Sequence, residues 1–126
     1  MALRVELKPG ERIIIGESLI TNSDSRATFL IDGDAPIMRE KDILTSETAT
    51  TPVKRVYLCV QMMYLEKDIP KYQEIYFDLI KDLLAAVPSF RGTIETASNN
   101  ILSGSLYKAL KDIKKLIELE SALLKA

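Results

Sequence analysis

Along the first fifty positions, apolar and polar residues trade places at a spacing of two. LRVEL, residues 3–7, alternates as a strand with one covered face does. KPGE follows as a turn, punctuated by Pro9 and Gly10. ERIIIGE, residues 11–17, is a short β-branched run in which Gly16 marks a bulge or a close backbone approach. LIT leads into NSDSR, a polar turn, and ATFLI, residues 27–31, is a further strand. DGD, residues 32–34, carries tight-turn, hairpin chemistry. PIMRE is the last short strand, and its Pro36 suits a sheet edge or a strand start. About five short strands bury little core alone. The meander is therefore expected to need a partner, either the second half of the chain or another copy of itself.

From residue 51 the period lengthens to that of a helix. TSETATTP, residues 45–52, reads as a polar hinge, with Thr51 placed to cap a helix and Pro52 suited to its first position. Val53, Val56, Tyr57, Val60, Met63 and Tyr64 then share one face. Asp68-Ile69-Pro70 ends that helix and starts the next. The second stripe is Ile75, Leu79, Ile80, Leu83 and Leu84, stopped by Pro88. A weaker helix over 89–102 turns Ile94, Ala97, Ile101 and Leu102 inward. Ser103 or Ser105 caps the last helix, whose buried side is Leu106, Ala109, Leu110, Ile113, Leu116, Ile117 and Leu123. Short connections suit antiparallel packing. The expected fold is α+β: an N-terminal antiparallel meander over 1–50 and a bundle of about four helices over 51–126.

Composition narrows the class. With 47% hydrophobic and 28% charged residues, the 126-residue chain has the make-up of a folded globular protein. No apolar run approaches the roughly 18–20 residues of a membrane span, and the N-terminus has no signal-peptide core. The single Cys59 fits a reducing compartment, so a cytoplasmic location is expected. Net charge is −1, unlike the basic balance usual for a nucleic-acid binder. Residues 1–50 hold six basic and nine acidic side chains, net −3, and residues 51–126 hold eleven and nine, net +2. Any RNA binding must then come from a local basic patch.

Catalytic chemistry finds little footing. There is no histidine, the commonest general base and a leading metal ligand. Cys59 lies by the apolar face of the first helix, as a structural cysteine does. Asp32 and Asp34 flank Gly33 as hairpin residues rather than as a metal loop. No phosphate-cradling glycine loop is present. No enzyme activity, metal or cofactor is expected. All five tyrosines, 57, 64, 72, 76 and 107, fall in the helical half, where core packing explains most; Tyr72, beside Lys71, is the best exposed candidate for base stacking. KDIKK, residues 111–115, reads as a solvated face. Lys8, Arg12, Arg39 and Lys41 would neighbour one another if the meander closes, and could follow a phosphate backbone. Against that stands a plainer reading, in which Arg39 pairs with Glu40 or Glu11 on the surface.

Longer segments carry a resemblance. MALRVELKPGERIIIGESLITN, GDAPIMREKDIL, RVYLCVQMMYLEKDI and ILSGSLYKALKDIKKLIELE together resemble the alphaproteobacterial flagellum biosynthesis repressor family, FlbT, over nearly the whole chain. That resemblance implies association with the 5′ untranslated region of flagellin mRNA and promotion of its decay. The N-terminal half is also similar to the carbon storage regulator family, CsrA, at Gly10, Glu11, Ile15, Gly16, Ala35, Pro36, Arg39, Glu40 and Ile43. The second resemblance implies an intertwined homodimer and RNA contacts from the first strand and from the arginine of the closing Arg-Glu. Arg39 is then the leading RNA contact, with Lys8, Arg12, Lys41 and, on the first strand, Arg4. Leu7 stands where that family has a basic residue, and the segment between Pro36 and Arg39 is shorter. The expected partners are a flagellin mRNA leader and a second copy, with neither DNA nor a membrane. The rival reading is a helical interaction module that binds flagellin or a flagellar regulator.

Overall fold

A computed structural model describes residues 2–125. Five strands come first: β1 (Leu3–Leu7), β2 (Arg12–Ile15), β3 (Ser18–Thr21), β4 (Ala27–Ile31) and β5 (Ile37–Arg39). Four helices follow: α1 (Pro52–Glu66), α2 (Ile69–Ala86), α3 (Arg91–Leu102) and α4 (Leu106–Lys125). The expected α+β architecture is therefore the one observed. The chain divides into two compact units, one ending at Ile43 and the other starting at Leu44.

Within the β unit the strands form two antiparallel sheets, β1-β4 and β3-β2-β5. Directly opposed residues share a face. Leu3–Ile31, Val5–Phe29 and Leu7–Ala27 therefore point one way from the first sheet. Ile13 aligns with Ile20 and Arg39, and Ile15 with Ser18 and Ile37, on one face of the second. Val5, Leu7 and Ile13 are buried together, with Ile15, Ile31 and Ile37 packed on them. This cluster lets the two sheets cover each other's inner faces. It is a small core, and Leu3, Leu19, Ile20, Phe29 and Leu30 stay exposed, Leu30 at 70%.

Two local expectations change. The Asp32–Gly33 turn does not close a hairpin, because β4 pairs with β1 while β5 pairs with β2. It carries the chain from one sheet to the other, with Gly33 at φ 124°. Gly16 is not a bulge but the first residue of the two-residue β2–β3 hairpin loop, and the close backbone approach is there, its N donating to Pro36 O at 2.8 Å. Its φ of 64° is the left-handed geometry that a tight hairpin asks of glycine at that place.

In the helical unit, Thr51 Oγ1 accepts from Lys54 N and Pro52 opens α1, as capping chemistry predicts. A second group supports the same end. Glu120 of α4 accepts from Val53 N at 3.0 Å and from the Thr51 hydroxyl. Asp68 caps α2 by accepting from Lys71 N. The segment read as a hinge is pinned within this unit. The Gln61 amide donates to Leu44 O and accepts from Leu44 N, each at 2.9 Å, and Ala49 is buried. α1 packs on α2 and α4, and α3 packs on α4.

The buried stripes are Val53, Val56, Tyr57, Val60 and Met63 on α1, and Ala109, Leu110, Ile113 and Leu116 on α4. Ile75, Leu102 and Leu123, expected inward, are exposed. Ile75 and Leu102 lie about 100° around their helices from Tyr76 and Ile101, which are buried instead. Leu123 continues the α4 stripe beyond Glu120, where α1 has already begun, so nothing in this unit covers it. Among the described residues no helix is long and apolar enough to cross a membrane.

Candidate nucleic-acid interface

The turn joining β1 to β2 sets the geometry of the β-unit candidates. Gly10 adopts φ 75°, Glu11 N donates to Lys8 O at 3.0 Å, and Lys8 N donates to Glu11 Oε1 at 2.9 Å. The Asn22 amide locks this turn from outside. It donates to the carbonyls of Leu7, Lys8 and Ser25, while Gly10 N donates to Ser23 O. Asn22 is a structural hub whose role was hidden inside the polar stretch NSDSR. One asparagine among two serines and an aspartate carries no signal of what it will bind.

Arg39 ends β5 on the inner face of its sheet, opposite Ile13. Its Nη2 reaches across to the first sheet, donating to Glu6 O at 2.7 Å and to Glu11 Oε2 at 3.3 Å. Its Nε is buried without a partner. The Lys8 amide first, and then Arg39, hold the Glu11 carboxyl below its ordinary range, against burial, which raises it. Arg12 pairs with Glu40 at 3.0 Å, and Arg26 pairs with Glu6. The plainer reading of Arg39 thus holds for its carboxylate partner: Glu11 takes Arg39, and Glu40 takes Arg12.

The structure brings Lys8, Arg12 and Arg39 together around Glu11 and Glu40, with Lys41 in the 3-10 turn that follows. Arg4 lies elsewhere, on the outer face of the first sheet opposite Leu30. Among the described residues Arg4, Lys8 and Lys41 form no ion pair. On this edge Arg12 and Arg39 are matched with acids, Lys8 lies in the field of Glu11 and Lys41 forms no ion pair, while Arg4 stands apart from it.

The helical candidates sort differently from expectation. Tyr72 is half-buried and donates its hydroxyl to Glu66, which also takes Lys71. The exposed tyrosine is Tyr107, at 50%, with its ring 5.9 Å from Tyr64 and Lys111 Nζ 4.8 Å from its centroid. Cys59 is buried beside Tyr72 O, and burial pushes its thiol up to about 11, which leaves it inert.

The profile of the flagellar protein FlbT family matches residues 3–124, spanning both units. This chain belongs to the FlbT family. It is 71% identical over 124 residues to the probable flagellum biosynthesis repressor protein FlbT of Rhodopseudomonas palustris, covering 98% of each chain. It is 58% identical to a Bradyrhizobium diazoefficiens protein of the same description, covering 98% of this chain and 85% of that one. The flagellum biosynthesis repressor protein FlbT of Caulobacter vibrioides is 32% identical, over 95% of this chain and 87% of its own. Both units are thus shared across the family. No solved structure matches the chain.

Proposed function

We propose that this chain represses flagellum biosynthesis after transcription, by associating with the 5′ untranslated region of flagellin mRNA and promoting its degradation. The observation that carries the reading is the FlbT match over 3–124, with relatives described as flagellum biosynthesis repressors. The β-unit edge supports an RNA contact. Among the described residues Arg4 and Lys41 have no ion pair to give up, and Lys8 only the longer-range attraction of Glu11. Arg12 holds Glu40 through an exposed pair of the kind worth about 0–1 kcal/mol, so a phosphate can replace the carboxylate at little expense. Arg39 remains the base-reading candidate through the part of its guanidinium not turned to Glu6 and Glu11. Two copies associate through the outer faces of the β unit, where Leu19 and Leu30 are exposed. A protein seated over the ribosome site blocks translation and leaves the message open to nucleases, with no bond made or broken by the protein.

The test is binding of the purified chain to flagellin leader RNA across a salt series, together with flagellin mRNA half-life in cells with and without the gene. Salt-dependent binding and a longer half-life on deletion are expected. No binding with an unchanged half-life refutes the reading. Solution mass tests the dimer separately. A second reading has its own observation: Leu119, Leu123 and Leu124 are exposed at the end of α4, as a surface for flagellin or a flagellar regulator would be. Co-elution of the chain with purified flagellin, without RNA affinity, selects it.

A further inference from the structure

The β unit is the obvious place to seek an RNA surface, yet its three arginines that touch acids are matched one to one. The opposite situation holds on α4. Residues 106–125 carry five lysines and three acids. Two of those acids are engaged away from solvent: Glu120 is buried on the start of α1, and Asp112 accepts from Asn100 Nδ2 at 2.7 Å. At 100° per residue, Lys108, Lys111, Lys114, Lys115 and Lys125 all fall on the side away from Ala109, Ile113 and Leu116, joined there by Glu118 alone. Tyr107 sits on this same side, half-exposed. Tyr64 braces one part of its ring, and Lys111 lies over it. A flat aromatic set in a row of ammonium groups offers a base one surface and the flanking phosphates another.

We propose that the solvent face of α4, centred on Tyr107 with Lys108, Lys111 and Lys115, binds single-stranded RNA. This rests on the RNA reading above and deepens it, by moving the main electrostatic contact from the β unit to the helical unit. A purely acidic protein partner would match the lysines but would give Tyr107 no role. A duplex would match the lysines while keeping its bases stacked away from the ring. The conjunction of ring and charge selects an unpaired strand.

The full-length chain is titrated with oligouridylate, with an RNA duplex of equal length and with inorganic polyphosphate, each over a range of salt. Changing Lys108, Lys111 and Lys115 together to Gln should lower the slope of log affinity against log salt by about 2, at about 0.7 per lysine for a single strand. Tyr107→Ala should weaken oligouridylate about 5- to 150-fold, the span of one lost stacking contact, while Tyr107→Phe retains binding and polyphosphate affinity stays the same. Circular dichroism checks that the helices persist. Unchanged oligouridylate binding in both α4 variants, with a loss in the chain changed to Gln at Arg4, Lys8 and Lys41, overturns this inference and leaves the RNA reading standing. Absence of binding to oligouridylate and to flagellin leader RNA by the unaltered chain overturns both.

Discussion

Replacing Arg39 with alanine removes a bridge between the two sheets of the β unit, and its effect on folding can be set out before any RNA is added. The Nη2 bond to Glu6 O spans β5 and β1, at 2.7 Å. A hydrogen bond from a charged group contributes about 1.5–3 kcal/mol when shielded. The Arg39 side chain is 39% exposed, so solvent screening brings that to about 1 kcal/mol. The ion pair with Glu11 adds nothing to the figure, because water screens it. The stem contributes separately. The two methylenes that alanine lacks contribute at most roughly 1.5 kcal/mol, at about 0.8 kcal/mol for each one fully covered, in a side chain that is 39% exposed. Arg39→Ala should therefore destabilise the β unit by about 1–2.5 kcal/mol, and Arg39→Met, which keeps the stem, by about 1 kcal/mol. A unit of some forty residues with four buried apolar side chains, Val5, Leu7, Ile13 and Met38, has little stability to lose. Its amides should lose protection first. The assay is amide hydrogen exchange across residues 3–39 and 53–124, at equilibrium and without denaturant. Protection should fall in the first range and hold in the second. Arg39→Ala exchange within about 0.5 kcal/mol of the parent throughout 3–39 refutes the bridging role. Arg39→Met is then the variant to use in RNA titrations, since it separates loss of the guanidinium from loss of the fold.

Glu120→Ala should cost the helical unit about 3 kcal/mol, because it strands the Val53 N–H in a buried site and removes a charge-assisted bond from the start of α1; urea unfolding followed by helical dichroism measures it, with Glu120→Gln expected at roughly half. The Glu11 carboxyl is depressed in the fold, so its contribution is present above the ordinary value of 4.5 and is lost as pH falls through the folded value. Melting temperatures of the parent and of Glu11→Gln should therefore differ at pH 7, and the difference should shrink only as pH falls below 4.5 and through the depressed folded value. With its thiol raised from 9.0 to about 11, Cys59 should react with a disulfide reagent at pH 8 about a hundredfold more slowly in the native chain than in the urea-unfolded one.

What could be read from the sequence follows the range of the forces involved. LRVEL and ATFLI match β1 and β4 residue for residue, because alternation and β-branching are local. That β1 pairs with β4 was not legible. DGD announces a reversal, and reversals usually join neighbouring strands, but the pairing was decided by which inner faces could cover each other. Thr51 as the α1 cap was readable from the Thr-Pro pair, whereas Glu120 as its second support lies 69 residues away in α4, and nothing in the local stretch LIELES marks that carboxylate as buried. Gln61 was invisible for the same reason, since a buried amide makes sense only with the Leu44 backbone in place. The reading of Leu123 failed in the other direction, because a helix can keep its apolar period after its packing partner has stopped. Among the candidate cations, residue type and position were readable. Which acid would claim each was not, and that decides which charges remain to meet a ligand.

The placement of charge has a kinetic consequence for the RNA reading. Residues 1–43, the β unit, hold six basic and eight acidic side chains, net −2, and screened repulsion acts over about 8 Å at physiological ionic strength. A transcript approaching the β unit first meets that field, with Arg12, Arg26 and Arg39 already paired. A transcript approaching α4 meets five lysines with one exposed acid, Glu118, among them, since Asp112 and Glu120 are engaged by Asn100 and by the start of α1. Exposed charges govern encounter, while contacts that must displace existing partners govern residence. Changes at Lys108, Lys111 and Lys115 should therefore slow association, and more so at low salt, whereas changes at Arg12 should appear chiefly in dissociation, because that side chain leaves Glu40 only after the strand has arrived. Stopped-flow anisotropy at two salt concentrations separates the two. An association rate governed by the β-unit arginines, with the α4 lysines altering dissociation alone, reverses the order of events argued here.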